Sequence, residues 1–300
     1  LDFATVSLSV LKTKLGDAMN IYADAILNPA FPEADFERQK RQLLATVQRE
    51  KTQPQQMALR VLPRIVYGAN HPYGNSLTGS GTEASVNSIT RQSLEKFHQT
   101  WFKPNNATLV IVGDTTIREI QPIIDRLFGP WQRGEVPTKT IATVPQQPKP
   151  IVYLIDRPGS QQSTIIAGEV APPRNSPDDL ARSAMNEVLG GAFVSRVNMN
   201  LREDKHWSYG SSTVVQRTLG QQLFLTVAPV QTDKTKESMQ EVDKELRGIV
   251  RGKPVTADEL GRAKDQMTLS LPGSRESGQA VLASISEIER FGLPPDYFET

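Results

Sequence analysis

The sequence has 300 residues, of which 38% are hydrophobic and 22% are charged, and its formal net charge is +1. That length suffices for two domains of about 100–200 residues each, and the balance excludes an intrinsically disordered chain. The near-neutral charge argues against recognition of nucleic acid or an anionic membrane, and no apolar run approaches the ~18 residues of a membrane span. Because the sequence contains no cysteine, disulfides, thiolate metal sites and a cysteine nucleophile are excluded.

In the first half of the chain, one strand-like segment precedes several helices. Helical spacing ends at Asn28, because the residue before a proline avoids the α conformation. Pro54 ends the next long helix and begins the one after it. The elements predicted here are a strand over 3–10, helices over 12–27, 33–52, 54–67 and 90–102, a strand over 107–112 and a helix over 115–128.

A proline-rich stretch with little apolar content, residues 135–150, predicts a linker. Beyond it, short strands alternate with helices, and Thr256 begins a helix with a capping-box pattern. The elements predicted here are strands over 151–155, 163–170, 208–215 and 222–228, and helices over 176–189, 194–203, 234–250, from 256, and over 277–291. This order favours α+β layers, with helices packed on sheets.

The sequence contains three histidines, His71, His98 and His206. No two of them stand four residues apart, so no helix presents the paired histidines of a zinc peptidase. We interpret His71 and His98 as side chains whose polar atoms are satisfied by backbone groups. His206 is a candidate for shaping a binding cleft, because it lies close to Tyr209.

The clearest motif runs from Leu189 through Gly190 and Gly191 to Arg196, and continues to Arg202 and Tyr209. It resembles the C-terminal domain signature of the M16 peptidase family (insulinase-like, pitrilysin-like or mitochondrial-processing-peptidase-like). In that family an arginine on a helix precedes, by seven positions, a tyrosine at the start of the next strand. Arg202 and Tyr209 match that pair. We interpret the glycine pair as a helix stop, with a close backbone approach as the alternative.

Further segments resemble the same family in the same order. They are 28–31, 36–38, 67–74, 105–114 and 155–163. The resemblance implies an α+β fold of two related LuxS/mitochondrial-processing-peptidase-like metallohydrolase domains, each a mostly antiparallel sheet with helices on one face. It assigns 1–134 to the latter part of a first domain truncated at its N-terminus, 135–150 to a linker, and 151–300 to a second domain that is also truncated.

The sequence departs from the catalytic members of the family at the zinc site. It contains no His-x-x-Glu-His, which the family order would place before Leu1. Aligned on residues 36–38, the third ligand, a glutamate, falls at Thr46, and a hydroxyl is a poor zinc ligand beside a carboxylate. Glu50 is the candidate only if that register is shifted. The resemblance therefore implies no metal ligand in this chain, and zinc in a partner subunit or in a segment upstream.

By this resemblance the chain is a non-catalytic subunit that pairs with a homologous zinc-bearing subunit, as a heterodimer or homodimer, and acts on a peptide or protein substrate. Arg202 and Tyr209 would bind the substrate carbonyl and the transition state in trans, with His206 lining the cleft. Two alternatives stay open: a zinc endopeptidase whose metal motif lies upstream, and a structural homologue with no peptidase role. The glutamine and proline content is compatible with a bacterial envelope protein.

Overall fold

The computed structural model describes residues 2–298. Its helices are α1 Leu15–Leu27, α2 Glu33–Glu50, α3 Pro54–Tyr67, α4 Glu83–Ser88, α5 Arg91–Trp101, α6 Ile117–Phe128, α7 Asp179–Asn186, α8 Arg196–Asn198, α9 Thr235–Gly248, α10 Ala257–Gly273 and α11 Gly278–Phe291. Its strands are β1 Gln162–Ala171, β2 Ser212–Gln216 and β3 Gln222–Gln231. In the described residues no helix is both long and apolar enough to cross a bilayer.

The chain divides into two compact units that do not follow sequence order. One unit comprises Arg49–Gly79 and Ile141–Pro272, and the other comprises Asp2–Gln48, Ser80–Thr140 and the described residues from Gly273 onward. The first unit contains the three strands, which form an antiparallel sheet in the order β1-β3-β2. The predicted α+β class is confirmed.

Alternation along the central strand β3 builds two apolar clusters in the first unit. Leu223 and Leu225 belong to one cluster, and Ala228 and Val230 belong to the other, so the two clusters lie on opposite faces of the sheet. Helix α3 packs against β1 beside the first cluster, whereas α9 packs against β1 and β3 beside the second. The second cluster also buries Leu201, and it supports the candidate site.

Part of the proline-rich stretch packs on this unit. Ile141 and Val144 lie against the first cluster. The Val144 amide donates to Oε1 of Gln221 at 2.6 Å, and Nε2 of Gln221 donates back to the Val144 carbonyl at 3.1 Å. Residues 141–146 are therefore held by specific contacts.

The second unit is built mainly from helices. Its buried residues include Met19, Ala23 and Ile26 of α1, and Ile120 of α6, and these two helices pack together. Thr90 precedes α5 and forms a capping box with Ser93. The Thr90 hydroxyl accepts from the Ser93 amide, and the Ser93 hydroxyl accepts from the Thr90 amide.

Three predicted strands, 3–10, 107–112 and 151–155, are not strands of the sheet. The residues of 151–155 are all exposed, with Leu154 at 86%. A strand exists only where its N–H and C=O groups pair with a neighbouring strand, and within residues 2–298 these segments have no ladder partner. The apolar residues of these segments are typical of strands, but the pairing that makes a strand is not encoded in a single segment.

Candidate functional site

Arg202 lies on a π-helical turn, Met199–Asp204, that continues α8. Leu201 anchors this turn in the apolar cluster with 1% exposure, and the next side chain, Arg202, faces solvent and is 38% exposed. The guanidinium carbon of Arg202 lies 4.6 Å from the centre of the Phe193 ring, a cation–π distance. Its Nε lies 3.3 Å from Oε1 of Glu203. The charged group is therefore accessible and supported from one side by an aromatic ring.

Tyr209 lies on the loop between that turn and β2, and it is 88% exposed. The loop is nonetheless fixed, because the amides of Trp207 and Ser208 both donate to the Leu201 carbonyl, at 2.9 and 3.2 Å. The Trp207 carbonyl in turn accepts from the Gln231 amide of β3 at 2.9 Å. The loop that carries Tyr209 is thus hydrogen-bonded to the residue preceding Arg202.

His206 occupies the bend between these two segments. Its φ is +56°, in the left-handed region that histidine enters more readily than most residues. Its Nδ1 donates to the Arg202 carbonyl at 3.0 Å, and its own carbonyl accepts from Nε2 of Gln231 at 3.2 Å. The backbone and ring of His206 therefore help to close the turn, and its side chain is exposed.

Sequence reasoning missed two residues of this region, Phe193 and Asn198. Phe193 lies inside the glycine-containing motif and is 62% exposed. Asn198, in α8, is 4% exposed. Its Nδ2 donates to the Phe193 carbonyl at 2.7 Å, and its Oδ1 accepts from the Ser211 amide at 3.0 Å. The sequence signal for this arrangement is the aromatic residue type at position 193.

Gly190 is a site of close backbone approach. A π-helical turn, Glu187–Gly191, continues α7 through the glycine pair, so the pair is not simply a helix stop. A Cβ on Gly190 would meet the Thr213 amide nitrogen and lie 2.5 Å from Thr213 Oγ1. The helical run ends at Gly191, as the favoured interpretation of the pair expects, and Gly190 is in addition a site of close approach, because β2 is packed on it.

His71 and His98 are satisfied by backbone groups, as predicted. Nδ1 of His71 accepts from the Tyr73 amide at 3.0 Å, so Nε2 carries the proton that it donates to the Ala142 carbonyl at 2.8 Å. Nε2 of His98 donates to the Ile26 carbonyl at 2.7 Å. Both rings serve local structure.

The positions considered for a metal ligand do not assemble a zinc site. Thr46 is half-buried in α2. Glu50 is 7% exposed, and its Oε2 accepts from Nη1 of Arg60 at 2.5 Å and from the Thr78 hydroxyl at 3.1 Å. Across residues 2–298 no group of three or more His, Cys, Asp or Glu side chains is placed to hold a metal ion. Zinc needs three protein ligands at a catalytic site, so these residues do not fit it.

The comparisons with known families agree with the motif. A family model described as the peptidase M16 inactive domain matches residues 88–267, more than half of the chain. The chain belongs to peptidase family M16. A second model, described as insulinase (peptidase family M16), matches residues 2–81.

Relatives of this M16 chain are named as zinc proteases. The one called YmxG, from Bacillus subtilis, is 24% identical over 273 residues, covering 89% of this chain and 63% of YmxG. This chain spans 44% of the length of another, from Mycobacterium leprae. A solved peptidase M16 inactive domain from Pseudomonas fluorescens has a TM-score of 0.87 and 24% identity, covering 96% of this chain and 68% of that chain. These likenesses establish the M16 fold.

Proposed function

We propose that this M16 chain is a non-catalytic subunit that binds an extended peptide and assists its hydrolysis at a zinc ion held by a homologous partner. One observation carries the proposal: two exposed polar side chains project from backbone segments that are hydrogen-bonded to each other. Arg202 and Tyr209 face solvent, yet the Leu201 carbonyl ties together the segments that bear them. Exposure together with a fixed backbone is the combination that a binding side chain needs.

The chemistry of the pair suits a peptide carbonyl. A tyrosine hydroxyl is a hydrogen-bond donor, and a donor aimed at the developing oxyanion stabilises the tetrahedral transition state. An arginine offers a planar fork of donors that holds a carbonyl in a fixed direction. In this assignment Arg202 orients the substrate, Tyr209 donates to the oxyanion, and exposed His206 lines the same region.

The zinc is assigned to the partner because Thr46 stands where the resemblance places the third ligand, a glutamate, and a hydroxyl is a poor zinc ligand beside a carboxylate. The names of the relatives support zinc-dependent proteolysis in the family, and no step at the metal is attributed to this chain. A homologous M16 subunit, in a heterodimer or homodimer, would supply the metal half of the site.

The proposal is tested with the native full-length protein and its copurifying M16 partner, using fluorescein-labelled tryptic peptides of casein. We expect Tyr209→Phe to lower kcat roughly 100-fold, the loss seen when one oxyanion donor is removed, with peptide binding retained. Arg202→Ala should weaken binding as well. The matched control is Tyr153→Phe, which removes another exposed phenol of the same unit and should leave turnover unchanged.

Other outcomes select the alternatives. Unchanged turnover in Tyr209→Phe and in Arg202→Ala would contradict the proposal and favour a structural role. One tightly held zinc ion per chain in the full-length protein, with proteolysis in the absence of any partner, would make this protein the zinc endopeptidase itself.

A further inference from the structure

A buried asparagine connects the two irregular segments of the candidate site. The Asn198 side chain is 4% exposed and uses both ends of its amide. Nδ2 donates to the Phe193 carbonyl at 2.7 Å, and Oδ1 accepts from the Ser211 amide at 3.0 Å. A side-chain amide presents one donor end and one acceptor end, so the two bonds also determine its orientation.

Each segment that Asn198 holds carries a side chain important to the proposed function. The ring of Phe193 lies 4.6 Å from the guanidinium carbon of Arg202. Ser211 follows Tyr209 by two residues, on the loop that enters β2. Neither Phe193 nor Ser211 lies in a helix or a strand, so side-chain hydrogen bonds contribute strongly to where their backbones lie.

Burial in an apolar core does not explain the position of the Phe193 ring. It is 62% exposed, so hydrophobic burial explains little of its position, whereas its contact with Arg202 restricts a long and otherwise mobile side chain. A cation–π contact of this kind favours one direction of the guanidinium over the others.

We propose that Asn198 is a positioning residue that sets the Phe193 turn and the Tyr209 loop relative to each other, and that Phe193 is the aromatic support that orients Arg202. This inference rests on the proposed function of Arg202 and Tyr209. Asn198 touches no substrate; it acts by holding the two segments in one arrangement, so that the guanidinium and the phenol reach the same peptide.

The test is a double-mutant cycle in the full-length protein with its M16 partner and fluorescein-labelled casein peptides. Asn198→Ala should lower kcat roughly tenfold, since displacement of a catalytic group costs rate without removing it. In a Tyr209→Phe background the same substitution should change kcat less than about twofold, because the group that it displaces is already lost.

Asn200→Ala is the matched control. Asn200 is also a buried asparagine, two residues away, but its Nδ2 donates to Glu241 and Glu245 of α9, at 2.8 and 2.9 Å. The Asn200→Ala substitution should therefore lower the thermal stability of the protein without changing kcat. Phe193→Leu should raise KM, whereas Phe193→Tyr, which keeps the aromatic ring, should leave KM at its wild-type value. Equal losses of kcat from Asn198→Ala in both backgrounds would overturn the inference.

A second readout does not depend on turnover. With 3-fluorotyrosine incorporated at position 209, the fluorine resonance should shift or broaden in Asn198→Ala and stay unchanged in Asn200→Ala. An unchanged resonance in Asn198→Ala contradicts the positioning role. If instead Tyr209→Phe leaves kcat unchanged while this resonance shifts in Asn198→Ala, the proposed function fails and the positioning of the loop by Asn198 stands.

Discussion

Gly190 lies against Thr213 so closely that no side chain fits between them. A Cβ at position 190 would lie 2.5 Å from Oγ1 and 2.7 Å from Cγ2 of Thr213, and would also meet its amide nitrogen. The Thr213 hydroxyl donates to Oδ1 of Asn186 at 2.8 Å, so it is not free to turn away. The π-helical turn and β2 therefore pack together only because residue 190 is glycine.

We expect Gly190→Ala to reduce the free energy of unfolding by about 1–3 kcal/mol or more, the cost of overpacking a filled site. Urea denaturation followed by circular dichroism measures it. The control is Gly261→Ala in α10, where a Cβ would meet nothing within 4 Å; this change should stabilise by about 0.4–1 kcal/mol. Equal stability of the two variants would contradict the close approach.

The buried pair of Glu50 and Arg60 predicts the effect of neutralising Glu50. Both side chains are about a tenth exposed, at 10% and 11%, so Glu50→Gln removes the negative charge that faces the buried Arg60 guanidinium. We expect a loss of about 3–5 kcal/mol in stability, and zinc content that matches the wild type by atomic emission. The exposed pair of Asp243 and Arg247 gives the control, because Asp243→Asn should cost less than ~1 kcal/mol. A loss of zinc with unchanged stability would identify Glu50 as a ligand instead.

The ion pair between Arg196 and Glu259 makes stability depend on pH. Nε and Nη2 of Arg196 donate to the two carboxylate oxygens of Glu259 at 2.7 and 2.6 Å. These bonds, with smaller contributions from the amide and hydroxyl of Thr256, which also donate to Glu259, lower the pKa of Glu259 from 4.5 to about 2. The unfolded chain therefore takes up a proton near pH 4.5 that the folded chain takes up only near pH 2. The stabilisation is complete above pH 4.5 and is lost as the pH falls toward 2.

We expect Glu259→Gln to destabilise the protein at pH 7 by about 3 kcal/mol, which is what the pKa difference implies for a largely buried group. The difference from the wild type should shrink at pH 3. Urea unfolding at the two pH values measures it. Asp258→Asn, at the exposed neighbouring position, is the control and should show little change. A difference that stays constant from pH 7 to pH 3 would exclude this linkage.

Because the backbone of His206 has a positive φ, two substitutions can distinguish its structural role in the turn from its proposed role in binding. At a φ of +56°, glycine is accommodated without strain, whereas a β-branched residue is not. We expect His206→Gly to keep stability within about 1 kcal/mol, and His206→Val to lose about 1–3 kcal/mol, by thermal unfolding. If the ring lines the cleft, His206→Gly should weaken binding of labelled casein peptides in fluorescence anisotropy, and unaltered binding would remove His206 from the site.

Local signals in the sequence were enough for most helices. Pro54 and the glycine after Tyr67 bound α3 at the predicted residues, and Thr256 begins α10 with the predicted capping box. The order of the M16 segments along the chain likewise identifies the family, which the family models confirm. These predictions succeed because helix formation, capping and motif spacing depend on residues within a few positions of one another.

The tertiary structure alone decided which extended segments pair, and which partners the functional side chains have. The runs at 3–10, 107–112 and 151–155 look like strands, yet a ladder needs a neighbour that no local pattern specifies. Glu50 meets Thr78, and Asn198 meets Ser211, only because distant parts of the chain converge. Hydrogen bonds and close packing act over a few ångströms in space, so their partners follow from the folded path of the chain rather than from spacing along it.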